Sequence, residues 1–293
     1  MRCARYVLLP VLALLSSASA IFGSENEVLT FVEAGHGVFT FDTGKLRGRL
    51  HADGRSLGLT EVVHVPTGAR LDRSNGLLSH YRVFTHGRRY GAGAWDWPSV
   101  ARLNPSNTVE VVWADAPDRS FGIRALYRFV DAATIQVETA VQSRGTLRGF
   151  EVFLASYFDS AFTNALIRLD APGSTYAEAT EDRGVWQMYP RHPARRSLIE
   201  DGRWQLEPHP VAWVFPATWS GQEALALRRS ASRRLVAALR APAQGCFAIA
   251  TPHQTEGHYS TYLSLFGENL RPGELARAVV ELSIRPETEA KPQ

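Results

Sequence analysis

Apolar residues recur at every second position along nearly the whole chain, and that period decides the fold class. Thr108-Val109-Glu110-Val111-Val112-Trp113 and Thr134-Ile135-Gln136-Val137-Glu138-Thr139-Ala140-Val141 alternate or run apolar at strand length, as does Leu275–Ile284. Side chains on a strand point to opposite faces in turn, so this period builds sheets with one face buried, whereas a helix needs a period near 3.6. Further strand-length runs occupy 28–33, 38–42, 61–65, 81–85, 123–130, 151–158, 165–169, 211–215, 225–229, 235–239, 247–251 and 259–266. Turn signals separate them, including Asp53-Gly54, Thr67-Gly68, Asn75-Gly76, Asn104-Pro105, Asp131-Ala132, Ala171-Pro172-Gly173 and Arg271-Pro272-Gly273. Only Ala194–Asp201 has helical character, about two turns of it. The patterning predicts an all-β chain of about fifteen strands, a large antiparallel β-sandwich rather than a small immunoglobulin-type one. The stretch 176–210 is rich in Pro, Arg, Trp and His and has no Gly/Ser-rich linker. It reads as an insertion loop over a single domain of residues 21–285, with 286–293 as a polar tail.

The first twenty residues stand apart. Arg2 and Arg5 precede an apolar run over 7–15, and the segment closes on Ala18-Ser19-Ala20, the three parts of a secretory signal peptide. The run is too short for a membrane anchor, so the expectation is a chain cut near Ala20 and exported to the periplasm or the extracellular space. Removing Arg2 and Arg5 takes the formal charge of +3 to about +1, and no basic block suggests nucleic acid as a partner. Cys246 is then the one thiol of the exported chain, in an apolar run, and reads as a small buried hydrophobe.

Three segments concentrate chemistry. His80–Trp97 (HYRVFTHGRRYGAGAWDW) gathers His80, Arg82, His86, Trp95 and Trp97; an extended strand would put His80, Arg82 and Phe84 on one face. Planar rings stack on sugar faces and charged forks bind hydroxyls or carboxylates, so this cluster predicts a carbohydrate site as readily as a packed core. Asp159 interrupts the apolar run Glu151–Phe162 as a functional carboxylate or a strand end. His253, Glu256 and His258 crowd the turn Thr251–Ser260, where Glu256 beside an imidazole makes a candidate acid–base pair. The expected catalytic residues are Glu256, His253 and His80, and the expected substrate contacts are Arg82, His86, Trp95, Trp97, Asp159 and His258. Neither a metal site nor a cofactor motif is expected: His80 and His86 lack a third ligand, and no phosphate-binding or dinucleotide-binding glycine motif, G-x-S-x-G or C-x-x-C occurs. Trp186, His192, Trp204, His209, Trp213 and Trp219 decorate the insertion region as a lid over a cleft or a packed cap.

The order of these pieces resembles the galactose mutarotase-like (aldose 1-epimerase-like) family. Phe39–Asp42 and Leu46–Leu50 lead through Asp53-Gly54 to Glu61–Val65. Ser156-Tyr157-Phe158-Asp159 is similar to that family's His-x-Tyr-Phe-Asn segment, and Leu270-Arg271-Pro272-Gly273-Glu274 to its late Leu-x-Pro-Gly-Glu turn. The resemblance implies a mutarotase-like supersandwich with a sugar ligand. It also implies epimerase chemistry by a histidine acid and a late glutamate base, for which Glu256 would stand; the position matching the histidine is Ala155. The expected function is therefore carbohydrate recognition, with or without epimerase-type catalysis. The alternatives are a non-catalytic interaction module, or a lyase acting on acidic polysaccharides in which arginine neutralises a uronate carboxylate.

Overall fold

The computed structural model describes residues 29–52, 55–169, 175–253 and 259–289. The leader 1–20, the turns at 53–54 and 171–173, Glu256, His258 and the last residues of the tail lie outside them.

The described chain is antiparallel β-structure in three sheets. A nine-stranded sheet runs in the order Tyr176–Glu178, Asn164–Arg168, Glu223–Ser230, Leu235–Pro242, Leu275–Pro286, Thr134–Ser143, Phe121–Asp131, Val109–Trp113, Val100–Leu103. A six-stranded sheet runs Trp186–Pro190, Cys246–Pro252, Ser260–Leu270, Leu147–Tyr157, Ser79–Thr85, Arg88–Arg89. A five-stranded sheet from Val32–Gly35 to Ala69–Arg70 follows chain order. The one α-helix among the described residues, Arg196–Ile199, is shorter than the patterning predicts. Trp186–Pro190 is a strand inside the stretch read as a loop, while 211–215 joins the sheet only through a bridge at Val214.

Local chemistry explains the long hairpin Phe121–Asp131/Thr134–Ser143, whose carboxylate Asp131 accepts from the backbone N–H of Ala133 and the hydroxyl of Thr134 at 2.8 and 3.0 Å. Gly76 has φ +71°, and a Cβ there would lie 2.2 Å from the Leu57 carbonyl oxygen, so the Asn75-Gly76 turn admits only glycine.

The main core lies between the inner faces of the two larger sheets. Val83, Phe150, Val152 and Leu263 from one meet Val111, Trp113, Ile123 and Val137 from the other. Phe31 and Phe41 of the N-terminal region pack on Phe129 at 4.6 and 5.4 Å between ring centroids. Arg228 ties the two sheets together. Its buried guanidinium donates to the hydroxyls of Thr261 and Thr251 and to the Ser260 carbonyl, and burial pushes its pKa down to about 9.

The six-stranded sheet is buried on its other face as well. Phe84, Phe153, Ala155, Tyr157, Phe247, Ala250 and Tyr262 meet Ile199, Trp204 and Val211 of the insertion. That second covering explains why Leu147–Tyr157 is buried almost throughout instead of at alternate positions. It also sets up a face on which the insertion and the sheet enclose a space lined by aromatic side chains.

Candidate functional site

A one-residue bulge decides which side chains of Ser79–Thr85 reach that outer face. Arg82 pairs with Phe153, but the next partner, Leu154, pairs with His80, so Tyr81 is the extra residue. Parity flips there. Tyr81 and Arg82 both turn toward the insertion, whereas His80 turns into the main core. The expectation that His80, Arg82 and Phe84 share a face therefore fails at His80. Its Nε2 sits 2.8 Å from Thr139 Oγ1 on the opposite sheet and its ring lies 4.9 Å from Trp113, and burial pushes its pKa down to about 3. A neutral imidazole closed off in the core cannot exchange a proton with a ligand in the cleft.

Between the outer face and the insertion lies a cleft of about 370 Å³, lined mainly by aromatic rings, with the Arg82 guanidinium and Asn75 as polar groups. Phe153, Tyr157 and Tyr262 form its floor. The Phe153 and Tyr262 rings stack at 4.6 Å, and Tyr157 stands edge-on to Tyr262 at 5.7 Å. Trp186, Trp204 and Trp213 form the facing wall, with Trp213 edge-on to Trp204 at 5.1 Å and to Trp186 at 6.0 Å. His209 to Val211 complete the rim. Burial raises the pKa of both Tyr157 and Tyr262, so these phenols stay protonated and serve as hydrogen-bonding groups; the Ser260 hydroxyl donates to Tyr262 at 2.8 Å.

Arg82 is the charged group of the cleft. Its Nη2 donates to the His209 carbonyl at 2.9 Å, and its guanidinium carbon lies 5.1 Å from the ring centres of both Tyr81 and Trp204. Nε and Nη1 are buried without a partner, as are the indole N–H groups of Trp204 and Trp213. Arg89 donates to the carbonyls of Gly91, Ala92, Leu206 and Pro208, and burial and the charge of Arg82 push its pKa down to about 10.

A buried ion pair holds the insertion on the sheet. Arg203 donates to Glu151 at 3.0 Å, to the Gly149 carbonyl at 2.8 Å and to Asp201 at 2.7 Å, and both Arg203 and Glu151 are fully buried. Burial drives the Glu151 pKa upward against the pull of Arg203. Asp201 is half-buried with its side chain largely covered, which opposes ionisation, yet its bonds from Arg203 hold its pKa below the usual value. Gly149, at φ +54°, leaves room for the guanidinium, since a Cβ would lie 2.9 Å from Arg203 Nη2.

The remaining sequence candidates scatter. Trp95 lies behind the cleft, stacked on Tyr81 at 4.2 Å with Arg55 over its other side, so it supports a cleft residue without lining the space. Trp97 belongs to the main core, beside Phe121 and under Arg119. His86 is exposed and faces Asp201 at 3.1 Å on the outside of the insertion. Asp159 accepts from the Ala161 N–H at 3.0 Å, a turn at the end of its strand, with Arg233 at 4.0 Å. The backbone N–H of buried His253 donates to the Val185 carbonyl, and its side chain is not part of the cleft lining. Of the expected contacts, Arg82 alone among the described residues lines the space. Trp186, Trp204, His209 and Trp213, which the sequence reads as a lid or a packed cap, line it too, whereas the sequence does not single out Tyr81, Phe153 or Tyr262 and has Tyr157 only in the family-like segment. Phe153, Ala155 and Tyr157 do share one strand face by their spacing, but nothing in the sequence says that face is covered by the insertion. The described residues hold no group of three or more His, Cys, Asp or Glu side chains placed to bind a metal.

No family model matches the sequence, and no curated protein sequence matches it. Solved structures do show a similar chain path. A galactose mutarotase-like protein from Clostridium acetobutylicum is 11% identical with a TM-score of 0.49, over 88% of this chain and 99% of that one. The alpha-galactosidase AgaB from Geobacillus stearothermophilus is 11% identical with a TM-score of 0.49, over 88% of this chain and 41% of that one. The heparan sulfate lyase HepC from Pedobacter heparinus is 7% identical with a TM-score of 0.43, over 88% and 37%. Identities this low say nothing about individual residues, so the chemistry of the cleft rests on its own side chains.

Proposed function

We propose that this protein is an exported carbohydrate-recognising domain of mutarotase-like character that binds its sugar in the cleft between the six-stranded sheet and the insertion. The observation that carries the reading is the lining: three tryptophans and four Phe/Tyr side chains surround the space, with one guanidinium and two unpartnered indole N–H groups among them. Rings of this kind stack on the apolar faces of a pyranose, while buried donors without acceptors suit its hydroxyl oxygens. The volume falls within the ordinary range of small-ligand sites.

The reading is one of recognition without the family's acid. Ala155, at the position of the family's histidine, lies on the cleft face packed among Phe153, Tyr157 and Tyr262, where it offers only a methyl group. His80 is withdrawn into the core, and the described lining contains no carboxylate. The test is a titration of neutral and acidic mono- and oligosaccharides, following tryptophan fluorescence in the parent and in Trp213→Phe. A saturable change that weakens in the variant supports the proposal. No response to any sugar overturns it.

A further inference from the structure

We infer that the cleft selects a sugar bearing a carboxylate, a uronic acid residue, whose two oxygens take over the Arg82 guanidinium from the carbonyl of His209. This deepens the carbohydrate reading above and rests on it.

Three observations converge. First, Arg82 is about 5% exposed, and two of its three nitrogens have no hydrogen-bond partner. A buried cation left in this state destabilises the fold by its lost hydration, and an anion arriving at it recovers that loss. Second, among the described residues no carboxylate comes within ion-pair distance of Arg82 or Arg89, and the two guanidiniums lie near enough for one to depress the pKa of the other. Glu207, whose carboxylate accepts from the His209 N–H at 3.1 Å, acts on Arg89, while the cleft lining beside Arg82 holds no carboxylate. A local positive field therefore faces the aromatic walls and concentrates anions. Third, the group holding Arg82 is weakly matched to it. The His209 carbonyl is a neutral oxygen, 2.9 Å from Nη2, on a residue with a left-handed backbone (φ +60°).

The geometry favours an exchange. The guanidinium carbon lies 5.1 Å from the ring centres of both Tyr81 and Trp204. Nη2 is held by the His209 carbonyl, and Nε and Nη1 are unpartnered, so an anion that displaces that carbonyl meets adjacent donors. Once that carbonyl withdraws, Nη2 with either neighbour presents two parallel N–H groups, the arrangement that matches the two oxygens of one carboxylate. Arg89 stays bound to the carbonyls of Leu206 and Pro208 and keeps the same segment attached while His209 moves. Because Arg89's donors are occupied in this way, a single guanidinium is open. One open guanidinium fork matches the two oxygens of a planar carboxylate, and a phosphate ester is the competing anion that the experiment includes.

The experiment uses trigalacturonate, its fully methyl-esterified form, galactose and galactose 6-phosphate, titrated by calorimetry into the intact chain and into Arg82→Gln and Arg82→Lys. The acid is expected to bind about tenfold or more tightly than its methyl ester, the ratio that one charge-assisted hydrogen-bonded contact supplies. The preference collapses to about twofold or less in Arg82→Gln, and Arg82→Lys retains part of it because the charge remains without the fork. Comparison of acid and ester on the parent chain needs no variant, so a folding failure in Arg82→Gln leaves the test intact. If acid and ester bind equally, the carboxylate inference falls and carbohydrate recognition stands. If galactose 6-phosphate binds most tightly, the carboxylate is the wrong anion and the inference falls. If no sugar binds, the carbohydrate reading falls and takes this one with it.

Discussion

Acidification distinguishes a structural His80 from a catalytic one. Its imidazole is closed in between the sheets, with a pKa lowered from 6.5 to about 3 by burial. Between those values the folded chain keeps the ring neutral while the unfolded chain protonates it. The unfolded state then binds more protons, so the contribution to stability is complete above pH 6.5 and is lost as the pH falls toward 3. The slope inside that window is at most about 1.4 kcal/mol per pH unit, or roughly 2 kcal/mol by about pH 5. Urea unfolding of the parent and of His80→Gln at about pH 7.5 and about pH 5 measures it, because carboxylates common to both proteins cancel in the difference. Gln keeps a polar partner for Thr139, so the variant folds with a modest loss at the higher pH. Its stability gap from the parent should close by roughly 2 kcal/mol on going to the lower pH. A gap that does not change with pH would refute the buried, neutral histidine. So would a His80→Gln chain of parental stability that has lost sugar binding.

Other outcomes follow from the same contacts. Arg203→Met strands the buried Glu151 carboxylate and should cost about 3–5 kcal/mol in urea unfolding, with weaker sugar binding because Trp204 adjoins it. Gly149→Ala forces a Cβ against the same guanidinium at a left-handed φ and should cost about 1–3 kcal/mol by thermal melt. Trp95→Ala removes the ring stacked behind Tyr81 and should cost about 3–5 kcal/mol of stability, a loss that appears even with no ligand present. Cys246, whose burial pushes its thiol up to about 12, should resist thiol reagents until the chain unfolds.

The strand pattern was legible because its period is local. Thr134–Val141 and Leu275–Ile284 needed only their own alternation, and the structure extends them by a few residues to Thr134–Ser143 and Leu275–Pro286. The site was less legible because two non-local events made it. The bulge at Tyr81 inverts the parity of a strand whose sequence gives no glycine to mark it, so His80 and Arg82 part company. The insertion then covers the outer face through Arg203 and Glu151, residues more than fifty positions apart, and turns an apolar strand face into a cleft floor. Arg82 was visible as a charge among aromatics, whereas Trp95 and Trp97, equally visible, went to packing. Ring chemistry alone does not separate a stacking platform from a core.

Sugar bound beneath the insertion would lie against the tryptophans that line that space. The most direct measurement is the set of indole N–H signals of the seven tryptophans, followed by NMR while trigalacturonate is added. Signals of Trp186, Trp204 and Trp213 should shift in a saturable way while those of the core residues Trp113 and Trp219 stay fixed. Shifts confined to Trp95 and Trp97, or no shift at all, would contradict the account.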